Sequence, residues 1–169
     1  SVDTRLPTVG MIEDFLDARA GVIMANILGS ARRIDRLKGN VGGDFNPASF
    51  LMGYAQSWGG PAPMRFSGSL QAIDAATGSR EPNRFDVWLE GTFGVLEKNR
   101  SEGHFALGAI GADYLIDNDL LLGVVFQADN MALDNKAAPG STSGLGWMAG
   151  PYMTMRLSDS VYFDVLAAA

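Results

Sequence analysis

The 169-residue sequence contains no cysteine, a single histidine and few cations, with 13 Lys plus Arg against 19 Asp plus Glu. Without cysteine there is no disulfide, no thiolate metal site and no cysteine nucleophile. A net charge of -6 at pH 7 and a pI near 4.6 argue against a nucleic-acid surface, because phosphate binding needs clustered cations. Long apolar runs are missing too. The longest, Ala20 to Gly29, has ten residues and is interrupted by Asn26, against the roughly 20 that a membrane-crossing helix requires. The first residues, Ser1-Val2-Asp3-Thr4-Arg5, lack the cationic start and apolar centre of a signal peptide. The expectation is one domain of ordinary size and a piece of something longer, whose leader was removed or never existed.

Catalytic signatures are equally scarce. His104 opens a strand after a polar stretch, with Glu102 nearby and no second imidazole, so a surface strand-end residue is expected. No serine sits in a Gly-x-Ser-x-Gly elbow; Gly68-Ser69 is a turn or helix-start signal. Asp117-Asn118-Asp119 lacks the glycine and glutamate offsets of a calcium loop and reads as a turn. No enzyme activity, metal or cofactor is expected.

What is present is amphipathic periodicity. Met11, Ile12, Phe15, Leu16, Val22, Ile23 and Ile27 recur at helical spacing after Thr8, predicting a helix from Val9 to Arg36. Glu13, Asp14 and Asp17 lie early, and Arg32, Arg33 and Arg36 late, as the helix dipole favours. Gly39 stops the helix and Gly29-Ser30 is a candidate break. Residues 39 to 84 read as a Gly/Pro-rich linker with short elements, including an alternating Met64-to-Leu70 run and a short helix from Ser69 to Ala76.

From Phe85 the period becomes two. Phe85, Val87, Leu89, Gly91, Phe93 and Val95 oppose Asp86, Trp88, Glu90, Thr92 and Gly94. Further strands are predicted over His104 to Ile116, Leu120 to Met131, Trp147 to Leu157 and from Val161, where a strand-like run breaks off abruptly. These lengths exceed the usual five or six residues and approach those of strands that cross a bilayer at a tilt. The predicted connections alternate, long at Glu97 to Gly103 and Ala132 to Gly144, short at Asp117 to Asp119 and Ser158 to Ser160, as in outer-membrane barrels. In-strand glycines, among them Gly108, Gly111, Gly123, Gly146 and Gly150, let curved strands pass close to a plug.

On Phe85-Asp86-Val87-Trp88-Leu89-Glu90-Gly91, Gly111-Ala112-Asp113-Tyr114-Leu115, Leu122-Gly123, Gly146-Trp147-Met148-Ala149-Gly150-Pro151-Tyr152, Leu157-Ser158 and Tyr162-Phe163-Asp164, the sequence resembles the C-terminal translocator domain of bacterial autotransporters, the type V secretion proteins. That resemblance implies a mainly β fold with an N-terminal α-helix. Its long antiparallel meander would be part of an outer-membrane β-barrel of roughly twelve strands, threaded by the helix and preceded by an exported passenger. It assigns residues 1-38 to the helical, pore-helix-like segment and residues 85-169 to the first strands, four and the beginning of a fifth. More than half the barrel would then be absent, as would the aromatic terminal residue that the barrel-assembly machinery reads. A truncated sheet of this kind is expected to self-associate, to pack its helix on itself or to need detergent.

The residues carrying the resemblance, as motif or lumen-facing candidates, are Asp86, Trp88, Glu90, Gly111, Asp113, Tyr114, Trp147, Gly150 and Tyr152. Tyr114, close to a short turn, and Trp88 and Trp147, within strands, are expected to fill a lumen or join aromatic girdles. Asp86, Glu90, Asp113 and Asp129 read as lining of a wet lumen and not as a catalytic carboxylate set. Arg32, Arg33, Arg36 and Lys38 either face lumen acids or form a solvated helix end. Asn26 is followed by Ile27, so the Asn pair at which some autotransporters cut themselves is missing. The implied role is anchoring and protein transport in the bacterial outer membrane, with lipid, assembly machinery and passenger as partners and no nucleic acid. The alternative from composition and pattern alone is a soluble all-β interaction or ligand-binding domain with an N-terminal helix.

Overall fold

A computed structural model describes residues 10, 12-13, 15-17, 19-20, 30-40, 64-78, 83-98, 101-135 and 140-169. Six strands form one antiparallel meander in sequence order: β1 (Met64–Ser69), β2 (Phe85–Lys98), β3 (Ser101–Leu115), β4 (Leu120–Asn135), β5 (Ser141–Ser158) and β6 (Val161–Leu166). The described residues between 10 and 20 are helical. Two short helices, Ser30–Leu37 and Leu70–Ala76, complete the fold. Among the described residues, β1 and β6 each lack a partner on their outer edge.

The expected long helix thus appears as the helical residues 10, 12-13, 15-17 and 19-20 and the Ser30–Leu37 helix; residues 11, 14, 18 and 21-29 lie outside the described set. Gly39, at φ 71°, ends the second piece, and the Gly39 amide donates to the Arg36 carbonyl at 3.0 Å. Its positive φ is costly for residues with a Cβ. The short helix after β1 starts on a side-chain cap: the Ala72 amide donates to Ser69 Oγ at 3.1 Å.

Two expectations about the strands are corrected. The sheet begins before Phe85, because β1 pairs with β2 from Met64↔Phe93 to Ser69↔Trp88, and the strand count is six. The long loops are also shorter than expected. Glu97 pairs with Glu102 and Lys98 with Ser101, while Ala132 pairs with Ser143 and Asp134 with Ser141, so residues 97-98, 101-103, 132-135 and 141-144 of the two polar stretches are strand ends. Their polarity reports the medium around the side chains, whereas the ladder is made by backbone groups that pair regardless. Length alternation of the turns is therefore not a property of this sheet; its strand lengths of 14, 15, 16 and 18 residues for β2 to β5 are. At the Ile116-to-Asp119 turn, Asp117 Oδ1 accepts from the Asp119 and Leu120 amides, each at 2.8 Å, which is turn chemistry.

The pleat sends alternate residues to two unlike faces. One is covered by the helices and holds two apolar clusters. Leu37, Trp88, Ala109, Leu121, Val125 and Tyr152 form the first; Phe15, Phe105, Met131 and Leu133 form the second. The other face is bare and exposes large apolar residues, with Leu145 75 %, Trp147 68 % and Val124 58 % accessible beside Phe93, Ile110, Phe126, Phe163 and Val165. Phe126 and Trp147 stack on this face, ring centroids 6.4 Å apart.

Candidate functional site

Charge is concentrated on the covered face. Asp86 and Asp113 are directly opposite one another on β2 and β3 and almost fully buried, at 1 % and 2 % accessible. Two carboxylates so close are tolerated only with compensating cations, and the Ser30–Leu37 helix supplies them. Arg36 Nε lies 2.8 Å from Asp113 Oδ1, and Arg36 Nη1 3.4 Å from Asp86 Oδ2. Arg32 Nη2 donates to Asp113 Oδ2 at 2.9 Å. Arg32 Nε faces Glu90 Oε1 at 3.3 Å and Arg32 Nη1 faces Asp86 Oδ2 at 3.7 Å. The 3.6-residue turn puts positions 32 and 36 on one side of the helix, so both reach the same pair of strands.

Aromatic groups complete the arrangement. The Tyr152 hydroxyl donates to Asp113 Oδ2 at 2.7 Å and accepts from Trp88 Nε1 at 3.0 Å and Arg32 Nη2 at 3.3 Å. The Arg32 guanidinium carbon stands 4.3 Å from the Trp88 ring centroid, and that of Arg33 4.8 Å from Tyr152. Gly111, cross-strand from Trp88, gives the indole its place: a Cβ there would stand 2.3 Å from Trp88 Cζ2 and 2.7 Å from the Val124 carbonyl oxygen.

Further ion pairs hold the helices to the wall on either side. Arg33 Nη2 meets Asp164 Oδ2 on β6 at 2.5 Å, and Thr154 Oγ1 donates to Asp164 Oδ1 at 2.5 Å. Farther along the strands, Arg19 clasps Asp129 with two bonds, Nε to Oδ2 at 2.7 Å and Nη2 to Oδ1 at 3.2 Å. A Cβ on Gly146 would stand 1.7 Å from Arg19 Nη2, so the absence of a side chain there admits the guanidinium. Below the helix, Arg36 also donates to Gln71 Oε1 and to the Arg84 carbonyl at 3.1 Å, and the Gln71 backbone N–H donates to Asp86 Oδ1 at 3.0 Å.

Of the residues singled out from sequence, Asp86, Trp88, Glu90, Gly111, Asp113 and Tyr152 meet around Arg32 and Arg36. Gly150 pairs with Val125 on the same face, against the Ala167 backbone. Tyr114 and Trp147 do not join them: both are exposed on the bare face. Of the two readings of the arginine cluster, the structure has Arg32, Arg33 and Arg36 facing acids, while Lys38 lies 5.5 Å over the Tyr162 ring. Asp164, Thr154, Gln71 and Arg19 were not anticipated. Asp164 was findable, since Tyr162, Asp164 and Leu166 alternate with apolar Val161, Phe163 and Val165; Gln71 carried no signal.

Long antiparallel strands in a meander, apolar on the bare side and charged on the helix-covered side, have the pattern of a partial β-barrel wall. Residues 87–169 match the family model of the autotransporter beta-domain. No curated protein and no solved structure matches the chain.

Proposed function

We propose that this chain is part of an outer-membrane autotransporter translocator domain, non-enzymatic, which anchors its protein and serves the export of a passenger. The carrying observation is the inverted polarity of the sheet. From His104 to Tyr114 the bare side of β3 holds apolar or small residues after the first position. That distance is about 34 Å along the strand and about 26 Å across a bilayer at a tilt near 40°, matching the apolar band of outer-membrane barrels. Beyond it lie Glu97, Glu102 and Asp134 at one end and Asp117, Asn118 and Asp119 at the other, which suit headgroups and water. A soluble sheet would put such an apolar face inside and leave the charged one wet.

In this reading the covered face lines a lumen, and the helix bearing Arg32, Arg33 and Arg36 sits within it. Asp86, Trp88, Glu90, Gly111, Asp113, Gly150 and Tyr152 are then lumen residues, whereas Tyr114 and Trp147 belong to the lipid boundary. The family is one of translocators and not of enzymes, and barrel assembly by the outer-membrane machinery is part of the proposal.

The gene product carrying this sequence, expressed in a Gram-negative host, is expected to sediment with the outer membrane, resist urea extraction and migrate faster on a gel when unheated than when boiled. Release into the soluble fraction with no heat-dependent shift contradicts the reading.

A further inference from the structure

We propose that Trp88, Glu90, Asp86, Asp113 and Tyr152 form a recognition site for a planar guanidinium group, occupied by Arg32, and that this site discriminates against an ammonium of equal charge. Each nitrogen of the Arg32 guanidinium faces a different carboxylate: Nε meets Glu90, Nη1 Asp86 and Nη2 Asp113, at 3.3, 3.7 and 2.9 Å. The plane of the group has its own partner, Trp88, at 4.3 Å. A fifth group, the Tyr152 hydroxyl, is oriented by Trp88 Nε1 and Asp113 so that it accepts from Nη2 at 3.3 Å.

Only a flat, delocalised cation with nitrogens in a fork meets three carboxylates at its edge while stacking on an indole face. An ammonium is a compact point charge; seated near Asp113 it leaves Glu90 and the indole without their contacts. The wall, moreover, is made without the helix's own residues: Asp86, Glu90, Asp113, Trp88 and Tyr152 all stand on β2, β3 and β5, and Asp86 is braced by the Gln71 backbone N–H at 3.0 Å. The site therefore sets the position at which an arginine-bearing segment of this chain comes to rest on the sheet.

The test exploits the absence of native cysteine. Leu37, 4 % accessible beside Trp88 and Tyr152, becomes a docking reporter as Leu37→Cys, with its maleimide-labelling rate read on the folded protein in detergent. On that background Arg32→Ala is expected to raise the rate about tenfold or more, the scale of one lost charge-assisted contact, and Arg32→Lys nearly as much. Millimolar guanidinium chloride added to Arg32→Ala is expected to restore protection, whereas methylammonium chloride and sodium chloride at equal ionic strength are not. Circular dichroism of each variant separates undocking of the helix from loss of the sheet, and Arg32→Lys, which keeps the charge, serves if Arg32→Ala does not fold. Full protection by lysine, equal rescue by methylammonium, rescue by neither ion or an unchanged rate in Arg32→Ala each overturns the proposal. The inference needs only the seated helix, so its failure leaves heat-dependent migration and membrane fractionation untouched.

Discussion

Asp113→Ala is expected to destabilise the folded chain by about 3–5 kcal/mol, the cost of leaving buried charge without its partner. Asp113 is 2 % accessible and serves two guanidiniums and a phenol: Arg36 Nε at 2.8 Å, Arg32 Nη2 at 2.9 Å and the Tyr152 hydroxyl at 2.7 Å. Without it, Arg32 and Arg36, which is 4 % accessible in the native fold, are left with Asp86 and Glu90 alone to offset their charge. The loss is read as a shift of the urea midpoint at unchanged slope in detergent. A double variant sharpens the result. Combining Asp113→Leu with Arg36→Met removes charge of both signs, and is expected to recover a large part of the loss that either change causes alone. Strict additivity of the two single effects contradicts a charge pair at this position.

The second large effect belongs to the opposite face. Val124 is 58 % accessible on the bare side of β4, in register with Ala112 and Pro151 and within the apolar band. Val124→Arg is expected to cost about 2–4 kcal/mol when the sheet sits in a bilayer, the penalty for arginine near the midplane on the lipid side of a barrel. Ser141→Arg, at the polar end where Ser141 opposes Asp134, is expected to cost about 0–1 kcal/mol, as near an interface. The pair is compared by the amount of folded, heat-modifiable protein in the outer membrane. Similar yields of both variants contradict a lipid-facing assignment, because in water an arginine at either exposed site is almost neutral.

Much of this architecture is legible in the amino-acid order. Period-two alternation from Phe85 assigns each residue a side, because a pleated strand cannot send neighbours to the same face. That rule also shows why Tyr114 and Trp147 part from the other candidates. Tyr114 is adjacent to Asp113, and Trp147 is five residues from Tyr152, so each must point away from its acidic or aromatic companion on the same strand. Less visible were the strand ends, since residues 97-98, 101-103, 132-135 and 141-144 fall in turn-like stretches of sequence while their backbones continue the ladder. β1 showed its alternation, but its pairing with β2 depends on a long-range contact that local pattern does not carry.

The site lay between these extremes. Acids on alternate positions of β2, β3 and β4 were visible as one lining, and Arg32, Arg33 and Arg36 as one cluster. What local sequence could not decide was whether those arginines answer the helix dipole or the acids, because both place cations at a helix end. Register resolves it: Asp86 stands opposite Asp113, Gly123 opposite both Asp113 and Tyr152, and Thr154 opposite Asp164. The carboxylates and the tyrosine thereby converge under one turn of helix.

The most direct test of the central claim, that the bare face meets lipid and the covered face does not, uses the native indoles. On a Trp58→Phe background, fluorescence is quenched by phospholipids brominated along their chains after reconstitution. The account predicts strong quenching, of which Trp147→Phe removes the larger part, because Trp147 is 68 % accessible on the bare face and Trp88 is 5 % accessible beneath Arg32. Absence of quenching, or quenching that survives Trp147→Phe undiminished, contradicts it.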